Sequence, residues 1–295
     1  MQAIWLQNNK LSYKTDIPIP IPTNNEALVK VLLAGICATD LHLIKGYYPY
    51  TGILGHEFVG EIVQSTNAPE RIGERVVGEI NIACGKCANC LRSQSTHCEQ
   101  RKVLGIINHH GAFAEYLCLP LKNLISVPTS ISNEKAVFTE PLASALQIQQ
   151  QVAIRPNHKV LIIGAGRLGQ LIAQTLLLTG CNLQVVARYT KQQQLLSKYK
   201  INWIREKDIK KHSFDVVVEA TGSATGFNLA VQTVRTRGII VLKSTNRNMT
   251  TNFSSIVVNE ITLVGSRCGP FIPALRLLEN ELIDPSSLIT NKFPL

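Results

Sequence analysis

Long apolar runs are missing from this sequence. None approaches the ~18 consecutive residues that a membrane-crossing helix needs, and the first residues show no basic stretch leading into an apolar one. No membrane partner and a soluble, cytoplasmic protein are therefore expected. Charge is scarce as well: 17% of the 295 residues are charged against 45% hydrophobic, a balance too apolar for a disordered chain and a length sufficient for two domains. Internal repeats and low-complexity segments are absent, which excludes a solenoid. The net charge of +10 suits an anionic partner, yet the densest basic stretch, Arg188 to Lys211, holds eight Lys and Arg with Glu206 and Asp208 among them and no ordered aromatic interleaving. That pattern argues against nucleic acid; it reads as a solvated helix face, with contact to a bound phosphate the alternative for part of it.

Two textures divide the chain. Residues 1 to about 125 carry short β-type runs such as Ala27 to Leu33, Phe58 to Val63 and Arg75 to Ile80, punctuated by Gly and Pro. From Lys159 apolar strands (Lys159 to Ile163, Leu183 to Ala187, Phe214 to Glu219, Ile239 to Lys243) alternate with helical stretches that begin near Leu168, run from about Gln192 to Tyr199, and end near Arg235. Such βαβα alternation specifies a parallel, doubly wound sheet. The hinge falls in 140–157, where Pro141 suits a first helical turn. The expected division is 1–147 for the β-rich domain, 148–270 for the doubly wound domain and 271–295 for a return segment.

Four of the eight cysteines crowd together: Cys84, Cys87, Cys90 and Cys98 form C-x2-C-x2-C-x7-C. Four thiolates on one loop surround a tetrahedral zinc at ~2.3 Å and leave no open position, so this site reads as structural; unligated thiols or an iron–sulfur cluster are the alternatives. Cys118, Cys181 and Cys268 read as packed thiols.

A second constellation is scattered. Cys37, then Gly55-His56-Glu57, then Glu140 in Thr139-Glu140-Pro141-Leu142 offer three ligands of mixed S, N and O type; with an exchangeable water, that is what a catalytic zinc requires. With the four-cysteine loop, that gives two zinc ions per chain. Thr39 and His42 follow Cys37 by two and five residues and are placed to pass a proton from substrate to water. Asp40 is placed to orient His56 through its other ring nitrogen, or to cap a helix start together with its neighbours. The Tyr47-Tyr48-Pro49-Tyr50 stretch either lines a pocket or packs as an aromatic loop.

Gly164-Ala165-Gly166-Arg167-Leu168-Gly169 follows the Lys159 to Ile163 strand and opens an apolar helix. In that setting the glycines permit a tight turn and close backbone approach, and the helix N-terminus receives a dinucleotide pyrophosphate. About 20 residues on, where an acidic side chain holds the ribose of NAD, the chain has Arg188 with Lys191 near it. Charge-assisted hydrogen bonds from Arg188 suit a 2′-phosphate, so NADP is expected over NAD.

Together, Gly35-Ile36-Cys37-x-Thr39-Asp40-x-His42, Gly55-His56-Glu57-x-x-Gly60, Gly73-Glu74-Arg75-Val76, the four-cysteine loop, Glu140-Pro141-Leu142-Ala143 and the glycine fingerprint resemble the zinc-containing medium-chain dehydrogenase/reductase superfamily, which includes alcohol, sorbitol and threonine dehydrogenases. The resemblance implies a GroES-like β-rich catalytic domain joined to a Rossmann domain, hydride transfer between a small alcohol or carbonyl and a nicotinamide cofactor, and a homo-oligomer, dimer or tetramer. It also implies that Cys37, His56 and Glu140 are the ligands of the catalytic zinc and that Glu57 approaches the metal during ligand exchange. Two departures accompany it: Ala38 replaces a basic residue of some relatives, and the chain stops at Leu295, where relatives continue with a helix and strand, so a shortened C-terminal return is expected. A non-catalytic zinc- and dinucleotide-binding relative is the alternative reading.

Overall fold

Strand-length apolar segments broken by turn residues pair locally, and the first unit of the protein is built that way. The computed structural model describes residues 1–245 and 253–295. It divides into Met1–Glu140 with Phe271–Leu295, and Pro141–Pro270.

In chain order the first unit holds β1 (Ala3–Gln7), β2 (Lys10–Lys14), β3 (Glu26–Gly35), α1 (Ala38–Ile44), β4 (Gly52–Ile53), β5 (Glu57–Ser65), β6 (Arg75–Gly78), β7 (Asn81–Ile82), α2 (Ala88–Leu91), β8 (Lys102–Val103), β9 (Tyr116–Pro120), β10 (Leu124–Ser126), α3 (Asn133–Ala136) and the start of α4 (Thr139–Gln151). A five-stranded antiparallel sheet in the order β10-β6-β5-β3-β9 forms its centre, beside the smaller sheet β2-β1-β4. β1 and β2 turn through Asn8 and Asn9, both at positive φ, the left-handed pair that a two-residue hairpin needs and that Asn tolerates. Val29, Phe58, Val59, Ile62, Val76, Leu117 and Leu119 are buried, each contributing roughly 1.5–3 kcal/mol by leaving water. α9 (Phe271–Glu279) packs here by Phe271, Ala274, Leu275 and Leu278, and Lys135–Glu281 and Lys292–Glu134 ion pairs tie the last residues to α3.

The second unit is the doubly wound sheet that the alternation implies. β11 (Lys159–Ile163), α5 (Arg167–Leu177), β12 (Asn182–Val186), α6 (Thr190–Lys198), β13 (Trp203–Ile204), β14 (Phe214–Glu219), α7 (Ala224–Thr233), β15 (Val234–Leu242), α8 (Phe253–Val258) and β16 (Thr262–Gly265) follow one another, and six parallel strands lie in the order β13-β12-β11-β14-β15-β16. Val160, Leu161, Ile162 and Ile163 are all buried, the continuous apolar run of a strand covered on both faces. The strand order reverses between β11 and β14, and in such sheets ligands bind outside the carboxyl ends of the strands at that point. One boundary differs from expectation: the helix expected to end near Arg235 stops at Thr233, and Val234 already begins β15. The apolar Val234 side chain is drawn into the cluster of Leu161, Phe214 and Ile240, so burial overrides helical continuation.

Candidate functional site

β3 delivers the chain to Cys37, and the antiparallel register that sets Gly35 opposite Glu57 brings the Cys37 turn against the His56-Glu57 corner. A Cβ on Gly35 would sit 2.4 Å from Glu57 Oε2, so the Glu57 side chain would have to move to admit one. Cys37 is the N-cap of α1. Its backbone N–H donates to Asp40 Oδ2 at 2.8 Å, the reciprocal half of a capping box. The other oxygen of Asp40 accepts from Gly55 N–H at 3.3 Å and lies 3.4 Å from His56 Nδ1. One carboxylate, 1% exposed, thus caps the helix, fixes the Cys37 backbone and lies beside the imidazole.

The ligand atoms of Cys37, His56 and Glu57 all lie within 4.8 Å of one another. Glu140, in the first turn of α4, is close enough to act on Glu57: burial first, and the Glu140 carboxylate second, push Glu57 up to about 8. Burial alone would lower His56, but Asp40 and Cys37 beside the ring outweigh it and hold it well above its usual range. The thiol, imidazole and carboxylate of Cys37, His56 and Glu57, with the Glu140 carboxylate acting on them from outside that cluster, are a set that a divalent cation would neutralise, and the S, N and O donors suit zinc. The residues present therefore fit that metal.

Thr39 Oγ1 lies 3.7 Å from Cys37 Sγ. His42 follows three residues later on the same face of α1, half-buried, with its ring centroid 6.1 Å from that of Tyr47. The Tyr50 hydroxyl reaches the carbonyls of Ile53 and His109 at 2.7 and 2.9 Å, and burial raises its pKa. Tyr50 is a packed anchor of its loop, whereas Tyr48 is exposed.

The four-cysteine loop closes on itself through α2, which Cys87 caps. Sγ separations are 3.5 Å for Cys87–Cys90, 3.8 Å for Cys87–Cys98 and 4.0 Å for Cys84–Cys90; bonds of ~2.3 Å to one tetrahedral centre imply about 3.8 Å between sulfurs. All four thiols are free of disulfides and their sulfurs lie within 4.8 Å of each other, so this loop too fits zinc.

In the second unit, β11 ends at a turn where Gly164 has φ +112°, a conformation that L side chains rarely adopt. A Cβ on Gly169 would fall 1.9 Å from the Gly164 carbonyl oxygen, which is the close strand–helix approach the fingerprint needs. At Gly166 a Cβ would meet nothing within 4 Å, and α5 starts there with no side-chain cap. Open space at an uncapped helix N-terminus fits a pyrophosphate. Arg167 is exposed and Leu168 half-buried at the helix start; Arg188 and Lys191 are exposed beyond the end of β12.

Three further residues organise this region and were not singled out by motif. Gln170 is 1% exposed; its Nε2 donates to Ala165 O at 3.4 Å and Gln192 O at 3.2 Å, bridging the glycine loop and α6. Glu219, fully buried, accepts from Thr221 N–H at 2.7 Å, Gly222 N–H at 3.2 Å and Ser244 Oγ at 2.6 Å, joining the loops after β14 and β15. Glu206 pairs with Arg188 at 2.9 Å. Gln170 and Glu219 sit within sequence already read as helix and strand, where only contact geometry distinguishes them from core residues.

Residues 23–129 match the alcohol dehydrogenase GroES-like domain family, and residues 146–236 match the shikimate/quinate 5-dehydrogenase family. A sorbitol dehydrogenase of Halalkalibacterium halodurans is 30% identical over 94% of this chain and 87% of its own length. A structure described as a zinc-binding dehydrogenase from Sinorhizobium meliloti 1021 bound to NADP superposes with a TM-score of 0.86 at 27% identity, covering 96% of this chain and 89% of that one. An alcohol dehydrogenase of Escherichia coli CFT073 complexed with NADH does so with a TM-score of 0.87 at 28% identity, covering 97% and 90%. The two units are thus a GroES-like domain and a Rossmann domain, and the chain is an oxidoreductase acting on CH–OH groups. It belongs to the zinc-containing medium-chain dehydrogenase/reductase superfamily.

Proposed function

We propose that this protein is an NADP-preferring dehydrogenase of a polyol or another small alcohol, with Cys37, His56 and Glu140 holding a catalytic zinc and Cys84, Cys87, Cys90 and Cys98 a structural one. The observation that carries the reading is the Cys37–His56–Glu57 cluster, with ligand atoms within 4.8 Å and Glu140 acting on Glu57. The bound metal would supply Lewis-acid polarisation of the substrate oxygen, and the cofactor the hydride chemistry. Thr39 accepts the proton of the substrate hydroxyl and His42 relays it to solvent, their spacing on α1 placing both hydroxyl and imidazole on one helix face. Asp40 holds Cys37 and His56 in place. Glu57, within 4.8 Å of the Cys37 and His56 ligand atoms, would be the carboxylate placed to approach the metal if a ligand were exchanged.

In the second unit, Gly164, Gly166 and Gly169 shape the loop, and the N–H groups opening α5 at Arg167 and Leu168 receive the pyrophosphate. Arg188 and Lys191 take the 2′-phosphate. The homo-oligomer expected from the resemblance would form along β16, which ends the order of the parallel sheet and so offers an edge for pairing with a second copy; light scattering tests this. NADPH and NADH oxidation by the zinc-loaded protein across ketones, aldehydes and keto-sugars, with Cys37→Ser as control, tests the activity. Turnover on a polyol-related carbonyl that is lost in Cys37→Ser is expected, and equal turnover in that variant would overturn the assignment.

A further inference from the structure

The strand register of the second unit sets a carboxylate beside the residue read as the 2′-phosphate partner. β12 and β13 run parallel with Val185 opposite Trp203 and Val186 opposite Ile204, and Ala187 N–H donates to Ile204 O at 3.2 Å. Two residues on, Arg188 and Glu206 emerge side by side at the carboxyl edge of the sheet. Arg188 Nη2 donates to Glu206 Oε2 at 2.9 Å, with 60% and 47% of the two side chains exposed. A pair so open to water adds little to stability. Its position is the more informative property, because the carboxyl end of the second strand is where a Rossmann domain reads the cofactor ribose.

We propose that Glu206 sets how strongly this protein discriminates NADP from NAD, by sharing the Arg188 guanidinium with the cofactor. The proposal rests on the reading of Arg188 as the 2′-phosphate partner. A guanidinium carries five N–H donors in a fixed fork; Glu206 occupies Nη2, and the exposed remainder faces solvent. When a 2′-phosphate docks, it meets a cation already half neutralised by Glu206 and must compete with that carboxylate for it. When the cofactor has only a ribose hydroxyl, Glu206 keeps Arg188 compensated and offers an acceptor to that hydroxyl. The acid that ordinarily selects NAD is thus supplied here by the end of the neighbouring strand, and Arg188 and Glu206 pull the preference in opposite directions. The other charges around the pair, Lys191 on α6 and Arg205, Lys207 and Asp208 beside Glu206, lie in or against exposed segments and leave the 2.9 Å contact as the specific one.

Calorimetric titration of the full-length zinc-loaded protein with NADPH and with NADH at low salt tests this in wild type, Glu206→Gln, Arg188→Gln and the double variant. Glu206→Gln should tighten NADPH about threefold to fivefold, the weight of an exposed charge pair, without tightening NADH. Arg188→Gln should weaken NADPH about tenfold or more, and in its background Glu206→Gln should have no further effect. Unchanged or weaker NADPH binding in Glu206→Gln, alongside weakened binding in Arg188→Gln, overturns the role of Glu206 and leaves the NADP reading standing. A tightening that persists without Arg188 overturns it too, because the carboxylate then acts only through general charge. If Arg188→Gln leaves the NADPH-to-NADH ratio unchanged, the NADP reading itself falls.

Discussion

Asp40→Asn isolates what one buried carboxylate contributes to the Cys37–His56 cluster. The substitution keeps shape and volume but turns one oxygen into an N–H donor. In the wild type both oxygens accept, from Cys37 N–H at 2.8 Å and from Gly55 N–H at 3.3 Å, so whichever way the amide turns, one backbone N–H meets another donor. The shorter contact will keep the remaining oxygen, leaving Gly55 N–H orphaned. An unsatisfied buried donor costs about 1–3 kcal/mol, and loss of charge from the helix cap adds about 1 kcal/mol, for a total near 2–4 kcal/mol. The second consequence falls on His56. Its Nδ1, 3.4 Å from Asp40 Oδ1, would then face an amide N–H and act as acceptor. The imidazole proton would move to Nε2, the tautomer in which that nitrogen no longer offers a lone pair to a metal. Losing such a partner typically weakens metal affinity about 10–100-fold. Urea denaturation with and without chelator measures the first effect, and competition with a chromogenic chelator the second. The expected result is one weakly held zinc and one held as in wild type. Two zinc ions held with wild-type affinity would refute the positioning role of Asp40.

Cys90→Ser should lose one zinc from the four-cysteine loop and lower the melting temperature by about 5 °C or more, while Cys37→Ser should lose the other zinc with folding retained; metal analysis of the two variants distinguishes them. Gly169→Ala places a Cβ 1.9 Å from Gly164 O, so it should cost about 1–3 kcal/mol and weaken NADPH and NADH alike in a binding titration. Asp215 opposes its own burial by accepting from Lys159 N–H at 2.7 Å and Arg235 Nε at 2.7 Å, and its pKa is lowered as a result. Its contribution is therefore complete above the unfolded value of about 3.9 and is lost as pH falls through the lower folded value. Asp215→Asn should then destabilise by about 1–2 kcal/mol near neutrality, and the difference should vanish in melts taken at the most acid pH the fold survives.

What could be read from sequence was set by the range of the interaction concerned. The cysteine loop closes within fifteen residues and the glycine fingerprint within six, so each carries its geometry in its spacing: a turn, an uncapped helix start, four sulfurs around one point. Apolar periodicity made the strands of both units legible for the same reason. It gave less at junctions such as Val234, where one apolar residue is claimed both by the end of a helix and by the core under a strand, and long-range burial decides. The scattered Cys37, His56 and Glu57 cluster was legible only jointly. Neither Cys37 nor His56 announces a metal, and what unites them is the register of β3 against β5 that no local pattern encodes.

Glu206 shows the same limit from the other side. In the sequence it stands between Arg205 and Lys207, eighteen residues from Arg188, and belongs to a basic stretch that reads as solvated surface. Pairing of β12 with β13 converts that separation into adjacency, because residues equally far beyond matched positions of parallel strands must emerge together. The Cys37 cluster and the Arg188 pair are alike in this respect. In each, a conspicuous residue, Cys37 or Arg188, is qualified by a carboxylate, Asp40 or Glu206, whose effect depends on backbone hydrogen bonding. For Asp40 that dependence is local, a helix cap three residues long, and sequence could anticipate it. For Glu206 it passes through a sheet, and a variant at position 206 should therefore alter cofactor choice without disturbing any residue that a motif would have named.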